Sequence, residues 1–242
     1  MGGDCRRLSH EDVARALREL DPAELLTAEP DGQWTVDQSG ELALLRNPDG
    51  DAVASFAAAD LLACRNAALT VLAARALLVP TVITAAVLGS SPAARLLCGT
   101  LARCLPNLSQ LAIHSVADAG LAAEFAAAGV DLSVTPSTAD AVFGASLVVV
   151  MDELPALPGV RAPMGAVVVN ASGRDLVHDL ANGIAEEYRE AELRQVLAGE
   201  HPGRTRPDDV LLVDLSDTAA PDVALAHAIH RLDIESPITA RH

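Results

Sequence analysis

The chain has 242 residues, with 17 basic against 33 acidic and a formal net charge of -16. Every basic residue is arginine; the absence of lysine excludes a lysine Schiff base, a P-loop lysine and a lysine proton donor. The acidic balance argues against nucleic acid, whose phosphates need a basic surface, and any anionic substrate would need a local arginine.

The sequence begins with a helical pattern over 6–28. Ser9 stands as its N-cap, Glu11 and Asp12 lie in its first turn, and Val13, Ala16, Leu17 and Leu20 form its apolar stripe. Asp31-Gly32 and Asn47-Pro48-Asp49-Gly50 are turn signals. Residues 41–46 and 52–56 flank the second turn as the strands of a hairpin. Residues 57–78 form a long helix of small side chains, with Asp60 near its start and Pro80 beyond its end. Such a helix permits close helix–helix approach, and a homodimer is expected.

From residue 81 onward, strands and helices alternate. Strands are predicted at 81–88, 111–114, 132–135, 147–151 and 166–170, with helices at 93–104, 120–128 and 137–143 between them. The first strand is a continuous apolar run, as a buried parallel strand requires. A helix over 184–197, a strand over 210–214 and a helix over 221–231 complete the chain. The fold class is therefore α/β: a Rossmann-like, doubly wound parallel sheet over about 80–178. A second, reduced subdomain is expected from the N- and C-terminal segments, 1–79 and 179–242.

Half of the residues are hydrophobic but only 2% are aromatic, so Ala, Leu and Val must fill the core. No apolar run reaches the roughly 18–20 residues of a membrane span; the nearest, 67–88, is broken by Arg75 and Pro80. The opening residues contain no apolar signal core, which predicts a cytoplasmic protein. Cys5, Cys64, Cys98 and Cys104 form no CxxC pair and read as reduced thiols, and no metal site is expected.

The main site signal is the first βα turn, Gly89-Ser90-Ser91-Pro92-Ala93-Ala94. A dinucleotide fold places G-x-G-x-x-G/A there, for a tight turn, close approach of the pyrophosphate and close helix packing. Gly89 and Ala94 fit the first and third positions, but Ser91 replaces the central glycine. Pro92 removes one N–H from the helix start. The acidic residue that would bind a ribose belongs about 20 residues on. Ser115 occupies that place, with Asp118 the nearest acid and Val116 where an arginine would mark a 2′-phosphate. NAD and NADP are not distinguished by these residues, and a βα turn without a ligand remains the alternative.

Four stretches, in order, resemble the ornithine cyclodeaminase/mu-crystallin family. They are Asn47 to Gly50 leading into Leu61 to Ala68; the turn at Gly89; Val169-Asn170-Ala171-Ser172-Gly173-Arg174-Asp175; and 192–214, with Gly199, Gly203, Arg204, Asp208 and Asp214. The last is the most specific, and together they cover about 8–231. The branch that makes 2,3-diaminopropionate belongs to the same group. The resemblance implies NAD(P)-dependent oxidoreductase or cyclodeaminase-type chemistry on a small amino or imino acid. It implies that Gly89, Ser90, Ser91, Ala94 and Ser115 hold the cofactor, that Arg65 grips the substrate carboxylate, and that Asp175 transfers protons. A guanidinium suits a carboxylate because it bonds bidentately.

Each residue also has a plain structural reading. Arg65 could pair with Asp60 or a helix end, and Asp175 could cap a helix. His178 reads as a loop histidine or a proton shuttle, and Arg204 with Arg206 as loop charges or an anion site. His227 and His230 share a helix face without making a metal site.

The sequence also departs from the family pattern. The stretch between residue 28 and Glu41 is too short for the sheet segment that carries the family's lysine and a further arginine. Leu176-Val177-His178 replaces a proline–glycine–lysine, and Ser216-Asp217-Thr218 replaces a serine/threonine–x–glycine. These departures support a rival expectation: a catalytically degenerate member that acts by binding a partner or metabolite. A chain-wide bias toward Ala, Arg, Gly and Pro is the plain account of the missing lysine, but it does not explain a missing segment.

Overall fold

A computed structural model describes residues 5–27, 31–79, 81–114, 119–151, 161–174, 176, 183–215 and 221–235. In chain order the elements are β1 (Arg6–Arg7), α1 (His10–Glu19), α2 (Pro22–Thr27), β2 (Thr35–Ser39), β3 (Leu42–Arg46), β4 (Ala52–Ala57) and α3 (Ala58–Leu77). Then come β5 (Ile83–Leu88), α4 (Pro92–Cys104), β6 (Leu108–His114), α5 (Ala119–Ala127), β7 (Asp131–Thr135), α6 (Thr138–Val142) and β8 (Leu147–Val150). The last are β9 (Val167–Asn170), β10 (Glu186–Tyr188), α7 (Glu190–Leu197), β11 (Leu211–Asp214) and α8 (Pro221–Glu235). The chain forms two units, 1–68 with 219–242, and 69–218.

The first unit has a four-stranded sheet in the order β1-β4-β3-β2. The 47–50 turn closes β3 onto β4 as expected. Asn47 Oδ1 accepts the amides of Asp49 (3.1 Å) and Asp51 (2.9 Å), and Gly50 donates to Asn47 O at 2.9 Å. This is an Asx turn with glycine at its left-handed position, φ +84°. The single helix predicted over 6–28 is instead a short strand and two helices. Ser9 caps α1, with Asp12 completing a reciprocal capping box. The helix stops at Leu20, whose backbone is extended (φ -108°, ψ 147°). Pro22 opens α2, and a proline disfavours helical geometry in the residue before it.

The second unit has a seven-stranded sheet in the order β10-β11-β9-β8-β5-β6-β7, every neighbouring pair parallel. Counted from β5, the first five strands run 3-2-1-4-5, the Rossmann order. Each residue of β8 and β9 is buried, which is why these strands read as uniform apolar runs. One core cluster joins Ala86, Leu88, Val148, Val150, Val168 and Leu212.

The sheet extends past the 80–178 span, because β11 pairs with β9 and β10 pairs with β11. Residues 186–188, predicted as helix, are therefore an edge strand; two glutamates gave them a helical composition. α3 matches its predicted span, and 63–74 are buried within the single chain. Its small side chains thus serve packing inside the chain. No helix among the described residues is long and apolar enough to cross a membrane.

Candidate functional site

In the second unit, the order of the sheet reverses between β5 and β8, and the ends of these strands line the switch point. Ligands of open α/β sheets bind in that crevice, beyond the carboxyl ends of the strands. Gly89 leaves β5 there and is buried. Ser91 caps α4 and accepts the Ala94 amide on Oγ at 3.3 Å. One lone pair of its hydroxyl is thus used by the helix while the O–H still has a proton to donate, and Pro92 at the helix start offers no N–H. Ala94, at the third position of the motif, is buried and allows close helix packing. The turn fits a dinucleotide pyrophosphate through its buried glycine and its helix start, with fewer donors than a three-glycine turn supplies. Ser115 and Asp118 lie outside the described residues.

Two strands further along the same edge, the register sets Asn170 opposite Asp214. Asn170 is 1% exposed. Its Nδ2 donates to Arg174 O at 2.6 Å and to Asp214 Oδ1 at 3.2 Å. Its Oδ1 accepts the Ser172 amide at 3.2 Å and hydroxyl at 2.8 Å. Both ends of one buried amide thus fix the 171–174 turn, where Gly173 takes φ +73°. That turn leads directly to Asp175. Asp175 itself lies outside the described residues, as do His178 and Ser216 to Thr218.

The first unit holds Arg65, on α3, 8% exposed. Its Nη1 donates to Asp222 Oδ1 at 3.2 Å and Oδ2 at 3.1 Å. Asp222, 3% exposed, lies in the first turn of α8, where the helix dipole favours a carboxylate. Gln38 Nε2 donates to Asp222 Oδ2 at 3.2 Å. Arg65 Nε is buried and has no hydrogen-bond partner among the described residues. Asp60, considered as a partner for Arg65, bonds His10 Nδ1 at 2.7 Å. Beside Arg65, burial and then the negative charge of Asp222 push the Cys64 thiol up to about 12, so it is no nucleophile.

Arg204, read from the sequence as a loop charge or an anion site, has structural partners. Arg204 Nε donates to Leu77 O at 2.8 Å, and its Nη1 donates to Asp209 O at 2.6 Å. It ties a loop to the end of α3. Sequence reasoning missed Asp222, Gln38 and the role of Asn170. A helix-start Pro-Asp pair carries no sign of a partner 157 residues away, so Asp222 could not have been found that way.

No family model and no curated protein matches the sequence. Solved structures do match. One is CmnK, at TM-score 0.73 and 16% identity, covering 97% of this chain and 96% of that one. A second is a probable ornithine cyclodeaminase from Bordetella pertussis Tohama I, at TM-score 0.71 and 19% identity, covering 96% and 98%. A third is an archaeal alanine dehydrogenase dimer with bound NAD, at TM-score 0.66 and 13% identity, covering 97% of each chain. What is shared at such identities is the fold, and this chain has the fold of the ornithine cyclodeaminase/mu-crystallin family.

Proposed function

We propose that the protein is an NAD(P)-dependent oxidoreductase or cyclodeaminase-type enzyme acting on a small amino or imino acid. The observation that carries this reading is the switch point between β5 and β8, with buried Gly89 and the start of α4 beside it. A nicotinamide dinucleotide held by Gly89, Ser90, Ser91, Ala94 and Ser115 would supply the hydride-transfer chemistry. Arg65 supports the substrate class. A buried guanidinium with an unpartnered Nε is costly to keep, and a substrate carboxylate would satisfy it. Asp175, which follows in sequence the turn fixed by Asn170, transfers the proton. Two of the similar structures are in keeping with this: a probable ornithine cyclodeaminase and an alanine dehydrogenase dimer with bound NAD. A homodimer is part of the proposal.

A second reading is a degenerate member that binds without catalysing. The replacement of the motif's central glycine by Ser91 and the absence of any lysine favour it. Titration of NADH and NADPH into the purified protein separates the two. Binding of either, followed by turnover of a small amino acid that Arg65→Ala and Asp175→Asn abolish while cofactor affinity is kept, is the result expected of the enzyme. Binding of neither at millimolar concentration rejects the enzyme and leaves the second reading.

A further inference from the structure

The Arg65–Asp222 contact has an unusual geometry for an ion pair. An arginine and a carboxylate left to themselves form a fork, two parallel N–H···O bonds from two nitrogens. Here a single nitrogen, Nη1, serves both oxygens, at 3.2 and 3.1 Å. Both distances exceed the roughly 2.7–2.9 Å typical of charge-assisted bonds. Meanwhile Nε, which forms the side-on fork together with Nη2, is buried and has no hydrogen-bond partner among the described residues. The two partners are also anchored differently. Asp222 is fixed by the Gln38 amide and by its place in the first turn of α8. The Arg65 guanidinium is fixed at one corner, by Asp222 alone among the described residues.

We propose that Asp222, braced by Gln38, is a positioning residue. It pins Arg65 by Nη1 and so reserves the Nε edge of the guanidinium for the planar carboxylate of the ligand. The ligand class is a monocarboxylate, here the α-carboxylate of an amino or imino acid. This rests on the reading that Arg65 meets the substrate carboxylate, and it adds a residue to which no role was assigned. It also accounts for how one arginine could suffice in a chain with no lysine: the single cation is oriented in advance, so less ordering is needed on binding.

The test measures affinity, and turnover where present, for L-ornithine and L-alanine against their primary amides, on the full chain with NADH. Wild type should prefer the acids. Asp222→Asn should weaken binding of the acids about tenfold and leave the amides unchanged, with KM moving more than kcat, as a misaimed clamp predicts. The exchange Arg65→Asp with Asp222→Arg should recover melting temperature but not acid preference, because an ion pair is symmetric and a ligand clamp is not. Gln38→Ala, on an exposed strand, should weaken acid binding about threefold, the size of one hydrogen bond. It decides the matter if Asp222→Asn does not fold. Acid preference that Asp222→Asn or Gln38→Ala leaves undiminished, or that returns in the exchange, overturns the role of Asp222 alone. A wild type that never distinguishes acid from amide, up to tens of millimolar, overturns the role of Arg65 and this proposal with it.

Discussion

At the scale of single residues, the decisive features are groups whose surroundings allow one chemistry. Gly165 has φ +74°, and a Cβ there would meet Pro207 O at 2.6 Å. Gly40 has φ +60° with nothing within 4 Å. Both conformations disfavour L side chains, but only Gly165 is also enclosed by backbone. Gly40→Ala should cost about 1 kcal/mol, and Gly165→Ala about 1–3 kcal/mol more. Chemical denaturation checks this, and equal costs would refute the steric account. His227 and His230 offer a pH prediction. Burial lowers both from the ordinary 6.5, ahead of smaller charge effects. His227 lies against Trp34, ring centroids 4.5 Å apart, and His230 Nδ1 is buried without a hydrogen-bond partner among the described residues. The sign follows from linkage. As pH falls below about 6.5 the unfolded chain binds protons that the folded chain refuses, so stability drops toward the lowered folded value and then levels. Melting temperatures between about pH 7.5 and pH 5.5 should fall in the wild type, and less in His227→Gln/His230→Gln. Equal slopes in the two proteins would remove the histidines as the cause.

At the scale of elements, the sequence was legible wherever burial was uniform or turn chemistry was local. The strands β5, β8 and β9 are apolar runs because both faces are covered. The hairpin was legible because the Asn47 side chain makes its bonds within four residues. Edge strands were not. β2 is largely exposed and β10 carries two glutamates, so neither shows an apolar period; pairing to a neighbour creates them. For the same reason Arg65 could be named but its partner could not, since α8 lies far along the chain. Ser91 is legible at both levels, as a replaced glycine and as a helix cap. It yields a prediction on α4. Ser91→Gly should cost only a few tenths of a kcal/mol, because glycine is a tolerable cap. It should also let the backbone approach a pyrophosphate more closely, so NADH binding should tighten several-fold. An unchanged or weaker affinity, measured by calorimetry, would show that the central position of the turn does not limit binding.

At the scale of the whole molecule, the missing lysine and the net charge of -16 belong together. With 33 acidic groups against 17 arginines, carboxylates outnumber cations nearly two to one, and the surplus repels itself across the surface. Added salt has two opposed effects. It weakens exposed ion pairs such as Arg231–Glu235 and Arg46–Asp37, each worth only about 0–1 kcal/mol. It also screens the surplus repulsion, over a range that shrinks from about 30 Å at 0.01 M to about 8 Å at 0.15 M. The buried Arg65–Asp222 pair is sheltered from the solvent ions and changes little. The long-range repulsion sums over many more groups than the few exposed pairs, so it should dominate. Raising sodium chloride across that range should therefore stabilise the protein by about 1 kcal/mol, a rise of about 2–4 °C in melting temperature for a chain of this size. Because sulfate also stabilises by exclusion from surfaces, chloride salts are the clean comparison. A melting temperature that falls with chloride would mean that surface pairing outweighs repulsion, and would reverse the inference drawn from the charge count.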